Sequence, residues 1–577
     1  MKIKDYFTKD LKPRQKQYEA LRAVAFAQSS IEETAGHFGY SPQSLRTLIS
    51  RLLSGKHQLF PDVKTGPKTR HTSENTVELI IRLRRQKRLA SEEISRELTR
   101  DGIPVSTRTV ERILKDAGFD KLCRRTDRQR GVSKKGVVIA ARSTDLDFEK
   151  LKPFRADCQV AGIYMFLPYI IESGIIDIVS ECNMAQSSDI SKVQASLSML
   201  ALKLIGNERL ANIANYDADI GFGIFAGLNV LPKPSYICSY SCRTDAAELM
   251  EFQKRIIAKL SGTYPYLYEG DTINLDFHSI PHFGDKSEME NIWCGTRGKA
   301  LKGANTFFAQ DGASNALMYV NADIKREESS LEIKKFLKQC LDLKGIVGTT
   351  LVFDSKLTRY DMLYDIDRAG VNFITLRRKG KNIIDQAEKL PEKSWKKIYL
   401  PIPKRKHTHV SVFEDRTILA DKQKPLRQII IKDHGRAEPT FVITNNFEMD
   451  IQDILIIYAK RWHIENKFAE LVDFFNMNCL SSPIMIRIHF DLLYTVIADT
   501  IYQLFAKDLK RFERCRAKTI FKSFINTPGQ IEYDGSKFTV KIRKRATTPL
   551  LLGVEKLKKE IVVPWLANKP LRIIWTA

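Results

Sequence analysis

The sequence predicts a multidomain α+β chain: small helical units and a helical middle segment lead into a mixed α/β core that carries a β-rich insertion. Three observations lead there. Two stretches near the front show paired short helices with full start and stop signals, residues 150–262 keep a helical period, and beyond Tyr264 strands alternate with helices. The expected boundaries are 1–62 and 72–135 for the front units, 150–262 for the helical domain, 263–376 with 448–510 for the core, 377–447 for the insertion and 511–577 for a C-terminal region.

The bulk numbers narrow the class. A chain of 577 residues has room for several cores, and 43% hydrophobic with 28% charged residues excludes a disordered or membrane-embedded chain. The formal charge is +25, and residues 1–150 carry 32 Lys and Arg against 19 Asp and Glu, so a polyanion should be gripped first at the front. Nine cysteines without a paired CxxC argue against a zinc site or disulfide framework and fit a reducing cytoplasm. The start lacks a leader-like apolar run, and Val160 to Val179 is broken by Pro168, Glu172 and Asp177, which reads as a core helix pair rather than a membrane span. A cytoplasmic protein is expected.

Each front unit reads as a helix-turn-helix. Ser30 and Glu33 form a capping box, Gly39 closes the first helix, Ser41 caps the second with Pro42 in its first turn, and Gly55 ends it. Leu45, Leu48, Ile49 and Leu52 fall at core spacing, leaving Arg46 and Arg51 outward. The plan recurs where Ser91 opens a helix, Gly102 and Pro104 turn, and Ser106 caps a helix ending at Gly118, with Val110, Ile113 and Leu114 inward and Arg108, Arg112 and Lys115 outward. A basic trailer of Lys121, Arg124, Arg125, Arg128 and Arg130 follows, suited to a phosphate backbone or minor groove. Two such units in tandem predict double-stranded DNA as partner.

The segment 150–262 holds no residue that demands chemistry and reads as packing. In the core, INLDFHSIPHFG gives a strand with Asp276 inside it, then come strands over ANTFFAQ and ALMYVNA, a helix from Glu327 to Leu343, the strand TTLVF ending at Asp354, a helix from Leu357 to Ala369, and the strand VNFITL. This order is compatible with an RNase H-like mixed sheet. Carboxylates on rigid elements suit two magnesium ions, which take oxygen ligands and act on phosphodiesters. Asp276 and Asp354 would meet if their strands are neighbours. Asp271 and Asp285 compete with Asp276, and Asp354 or Ser355 could merely cap the next helix. His278 and His282 share a strand face with Asp276 but read as neutral core or substrate contacts rather than ligands.

The third acid comes from YAKRWHIENKFAELVDFF, read as one long helix. Tyr458, Arg461 and Glu465 at i, i+3 and i+7 share one face, beside an apolar stripe of Ile457, Ile464, Phe468, Leu471 and Phe475. Arg461 can grip a phosphate bidentately and Tyr458 can bond it or stack on a base. Trp462 is grouped with these DNA-facing side chains, although packing is its simpler role.

Here the sequence resembles the DDE cut-and-paste transposases of the insertion-sequence-four group, whose glutamate helix carries Tyr-x2-Arg-x3-Glu-x6-Lys. Tyr458, Arg461 and Glu465 match the first three positions, and the fourth departs, falling on Val472, with Lys467 nearby but out of register. The resemblance covers about residues 215–575, and it places the first acid in DFHSIP and the second in LVFDSK, at Asp276 and Asp354. It also implies a β-rich insertion such as 377–447. The resemblance implies a transposase in which Asp276, Asp354 and Glu465 hold two Mg2+ ions, with Mn2+ able to substitute. Such an enzyme would bind terminal inverted repeats, cut them, and join the 3′ ends to target DNA as at least a homodimer, with no membrane partner. The alternatives are a domesticated, inactive DNA-binding protein and an RNase H-like nuclease without strand transfer.

Overall fold

The computed structural model describes residues 12–26, 29–60, 72–87, 89–120, 122, 151–284, 289–322, 324–344, 348–402, 406–419, 424–479 and 484–576. The chain divides into two units, Met1–Val137 and Val138–Ala577.

In the front unit each expected helix pair has gained a third helix. Pro13–Phe26, Ile31–His37 and Pro42–Leu53 close on Ala20, Leu21, Ala35 and Leu45. The start signals act as expected: Ser30 and Glu33 exchange bonds between side chain and amide, and the Ser41 hydroxyl accepts from the Ser44 amide. Gly39 holds φ +60°, a conformation a Cβ would strain. The second bundle, Glu74–Lys87, Ser91–Arg100 and Thr107–Asp116, closes on Ile80, Leu83, Ile94, Leu98, Val110, Ile113 and Leu114. Ser91 opens the second of these helices as expected, with Ala90 as its N-cap, the Ala90 amide donating to Glu93 Oε2 at 2.6 Å. Arg84 is buried and donates to the carbonyls of Leu89 and Asp120, tying both ends of the bundle together.

The second unit is built on a ten-stranded sheet. Its strands are β2 (Thr272–Pro281), β3 (Asn291–Cys294), β4 (Lys299–Asp311), β5 (Leu317–Asn321), β6 (Thr350–Phe353), β7 (Asn372–Leu376), β8 (Lys396–Tyr399), β9 (His409–Thr417), β10 (Leu426–Lys432) and β11 (Thr440–Thr444), and β1 (Phe154–Cys158) lies elsewhere. The order is β3-β4-β2-β6-β7-β11-β10-β9-β8, with β5 paired to β4. The expected succession of three strands, helix, strand, helix, strand is present as β2, β4, β5, Glu332–Lys344, β6, Tyr360–Arg368 and β7, with β3 as an added edge. β2 runs antiparallel to β4 and parallel to β6, and β6 runs parallel to β7.

The strands in the stretch expected to be an insertion, β8 to β11, extend this same sheet. β11 pairs antiparallel to β7, and β10, β9 and β8 follow as antiparallel neighbours. Both faces of β10 are covered, which explains its unbroken Ile429-Ile430-Ile431 run. Ile429 and Ile431 pack with Ile454 and Leu455, whereas Ile430 packs with Ala387 of the helix Lys381–Glu388.

Residues 151–262 are mainly helical but also supply β1. It pairs with β12 (Gly529–Tyr533) in a second sheet, completed by β13 (Phe538–Arg543), β15 (Lys569–Thr576) and β14 (Ile561–Val563). One hydrophobic core therefore runs from Cys158 to Ile573. At its centre lies the helix Met485–Asp508, apolar around its circumference and buried almost throughout. The apolar stretch near Val160 forms a bent pair, Ala161–Glu172 and Ile175–Glu181, inside this core. Among the described residues no single helix is long and apolar enough to cross a membrane.

Candidate active site

Asp276 is held in β2 between Leu275, which is fully buried, and Phe277, whose amide donates to Asp276 Oδ1 at 2.8 Å. The parallel register Asn274↔Val352, carried two residues on, sets Asp354 beside Asp276 just past the end of β6. Neighbouring strands lie about 5 Å apart, so the two carboxylates are brought together by the sheet itself. Asp354 also braces the turn that follows, its Oδ1 accepting from the Lys356 amide at 2.9 Å. The next helix begins only at Tyr360, later than the Leu357 start expected, so Asp354 is not its cap.

The glutamate helix is not continuous. Ile451–Lys460 and Trp462–Asp473 meet at Arg461, whose amide bonds the Tyr458 carbonyl at 3.1 Å, a tightened turn. The joint leaves Arg461 directed at the sheet. Its guanidinium donates to Asp276 Oδ2 at 2.7 Å and to Glu465 Oε1 at 2.7 Å. One cation thus already bridges two of the three acids. Burial works against the Arg461 charge, but the Asp276, Tyr458 and Glu465 side chains hold its pKa above the ordinary value.

Burial pushes the Asp276 carboxyl up to about 6, against the pull of Arg461 and with the Asp354 charge adding to the rise. Tyr458 is pushed up to about 12, first by burial, and so stays a neutral hydrogen-bond donor. The raised Asp276 value makes a prediction. A carboxyl with a folded pKa near 6 and an unfolded value near 4 contributes stability that is present below about pH 4 and lost as pH rises through about 6. Asp276→Asn should therefore stabilise the metal-free protein at pH 7.5 by up to about 3 kcal/mol. Thermal melting checks it: the gap should close as pH falls toward 4, and a variant that melts below the parent at pH 7.5 contradicts it.

Among the described residues no three His, Cys, Asp or Glu side chains are already grouped to hold a metal ion. Glu465 is turned onto Arg461, and its carboxylate is more than half exposed. The donor set nonetheless suits a hard divalent cation: three carboxylates, two of them already gathered around a single positive charge. His278 bonds Asn478 Oδ1 at 2.9 Å and packs on Phe468, and burial lowers its pKa, so it is a neutral packing residue.

The remaining predicted residues divide. Trp462 is 49% exposed and stacks edge-on against His463, so it is not core packing. Arg46, Arg51, Arg108, Arg112 and Lys115 are exposed on the front bundles, with Arg46 paired to Glu32. Arg124, Arg125, Arg128, Arg130, Lys121 and Asp285 lie outside the described residues. Val472 packs against the main core. The off-register Lys467 is buried between Asp499 and Glu470, a structural role. Sequence reasoning misses Lys356: its ammonium sits over the Phe277 ring at 4.8 Å, within the field of both Asp354 and Asp276. Its only sequence signal is its place two residues after Asp354.

Residues 270–498 match the family model described as transposase DDE domain. The matched stretch takes in Asp276, Asp354 and Glu465. No curated protein matches the chain. Among solved structures, the piggyBac transposase synaptic complex with hairpin DNA aligns at TM-score 0.38 and 10% identity, covering 64% of this chain and 81% of that one. The pre-cleavage Mos1 transpososome aligns at 0.13 and 8%, covering 63% and 77%, and the Mos1 strand transfer complex at 0.13 and 9%, covering 64% and 78%. At TM-scores this low the superpositions do not define a shared fold.

Proposed function

We propose that this chain is a transposase of the insertion-sequence-four kind, with an RNase H-like core. It would recognise terminal repeats of a mobile element, cut them, and join the freed 3′ ends to target DNA. The observation that carries the reading is the placement of Asp276 in β2 and Asp354 just past the end of the adjacent parallel β6, each within the other's field, with Glu465 drawn alongside through Arg461. The transposase DDE domain match over 270–498 spans all three acids.

In this reading Asp276, Asp354 and Glu465 hold two divalent ions, Mg2+ or Mn2+. When bound, these would polarise the phosphodiester and activate the attacking water or hydroxyl. The rest is done by side chains. Arg461, once its carboxylates have another cation, is free to clamp a phosphate oxygen bidentately. Tyr458, neutral at physiological pH, donates a hydrogen bond beside it. The helix-turn-helix bundles present Arg46, Arg51, Arg108, Arg112 and Lys115 to element-end DNA, and the trailer with Arg124 and Arg125 adds backbone contacts. Joining two ends calls for at least a homodimer on DNA.

The test uses the purified chain, a linear duplex carrying the DNA that flanks its own gene, a supercoiled target plasmid and Mg2+. The expected products are 3′-hydroxyl cuts at the repeat boundary and covalent joints to the plasmid. Cuts without joints favour a nuclease. Binding without cuts favours a domesticated DNA-binding protein and overturns the reading.

A further inference from the structure

The positive charge of this chain is not confined to its front. Residues 511–577 hold 15 Lys and Arg against 5 Asp and Glu, and the twelve residues from Lys507 to Lys518 hold six against two. None of residues 511–577 falls within the matched DDE domain.

The fold makes a rigid knuckle of this run. Leu509, fully buried, anchors the end of the helix Met485–Asp508, and Arg511 turns the chain at φ +72°. The Phe512 and Cys515 amides close successive turns on the Leu509 and Phe512 carbonyls at 2.9 Å, and the Phe512 ring packs edge-on against Phe524. Two bonds then fasten the knuckle to the helix that carries Glu465. The Ala517 amide donates to Glu470 Oε1 at 2.9 Å, and Lys518 pairs with Asp473 at 2.6 Å. Glu470 is itself fixed by the buried Lys467, which also holds Asp499 of the long core helix.

Between knuckle and glutamate helix lies a cleft of about 700 Å³, with Trp462, His463 and Asn466 on one wall and Lys507, Arg514 and Arg516 on the other. Asn466 follows Glu465 directly, and successive side chains on a helix are turned by about 100°, so the cleft opens on the flank next to the acid. All three basic side chains are exposed; Lys507 lies over the Tyr266 ring at 5.3 Å, and the Glu513 carboxylate, which lines the same cleft, stands in the field of Lys507 and Arg514 without closing an ion pair on either. Buried, ion-paired cations would be structural, whereas three exposed ones that outnumber the exposed Glu513 beside them and share a cleft with an exposed indole match a DNA strand: phosphates on the cations, a base or sugar on the ring.

We propose that this cleft holds the phosphodiester backbone of DNA beside the point of cutting, with Lys507, Arg514 and Arg516 as its phosphate contacts. The choice of DNA as ligand rests on the transposase reading, but the contact itself requires no chemistry. The experiment is equilibrium binding of the full chain to a fluorescent duplex of arbitrary sequence, about three helical turns long, in EDTA, over a salt series.

Each phosphate contact contributes about 0.9 to the slope of log affinity against log salt. Substituting Lys507→Gln, Arg514→Gln and Arg516→Gln together should lower that slope by about 2–3. The charge-retaining pair Arg514→Lys and Arg516→Lys should keep it, as should Lys558→Gln, whose ammonium is already paired with Glu555. An unchanged slope in the triple variant overturns the proposal, and so does an equal loss in Lys558→Gln, which would make the effect one of general charge. Because no metal is present, a chain that never cuts DNA yet loses slope in the triple variant would sink the proposed function and spare this contact.

Discussion

Replacing Asp354 by Asn is expected to abolish magnesium-dependent DNA cutting while leaving DNA affinity in EDTA unchanged. The substitution keeps the shape and the acceptor that takes the Lys356 amide, so the turn after β6 should stand. It removes the charge that the sheet register places beside Asp276. Stabilisation of a phosphoryl transition state by a bound divalent ion amounts to several kcal/mol, and each 1.36 kcal/mol is tenfold in rate. The expected loss is on the order of a thousandfold or more. The charge lost also relieves Asp276, which Asp354 pushes upward, so the Asp276 carboxyl should titrate lower in the variant. Single-turnover cleavage of an end-containing duplex measures the first effect, and carboxyl chemical shifts measure the second. Cutting within about tenfold of the parent would remove Asp354 from the role proposed for it.

The features legible in the sequence were local ones. Caps at Ser30, Ser41 and Ser106 and stops at Gly39, Gly102 and Gly118 are written in residues a few positions apart, and the helices start and end at them. The strand carrying Asp276 and the one preceding Asp354 were readable for the same reason, since a buried strand needs an apolar run. Features that depend on distant partners could not be read. Nothing local shows that β8–β11 would prolong the core sheet, because an apolar run such as Ile429–Ile431 marks a buried strand without naming the strand it pairs with. Nor does Phe154–Cys158 reveal its partner nearly four hundred residues on. The site divides likewise. The spacing of Tyr458, Arg461 and Glu465 could be counted, but the break at Arg461 and its double hydrogen bond to Asp276 and Glu465 arise only once helix and sheet are packed.

Lys467 shows the largest consequence of such a long-range contact, and Lys467→Met is expected to destabilise the second unit by about 3–5 kcal/mol. Its side chain is 7% exposed, with the ammonium 3.1 Å from Asp499 Oδ1 and 3.3 Å from Glu470 Oε2. Burial opposes the ammonium charge, but the two carboxylates win and hold its pKa above the ordinary value. Burial pushes Asp499 up, and Lys467 opposes that rise. Methionine fills the volume and removes the charge, stranding Asp499 at 1% exposure with the Gln503 amide as its remaining side-chain donor among the described residues. Its carboxyl must then be protonated in the folded state or stand as an unpaired buried charge. A folded pKa raised above the unfolded value gives stability that is present at acid pH and lost as pH rises through the folded value, so the deficit should be small near pH 4 and widen toward pH 8. Adding Asp499→Asn to Lys467→Met should recover much of the loss at pH 8, since a neutral amide can remain buried at lower cost. Thermal melting of the single and double variants at the two pH values decides it. Equal midpoints for parent and Lys467→Met at pH 8 would mean that the glutamate helix is held by its apolar stripe alone, and that the buried charges add nothing to the platform on which Glu465 stands.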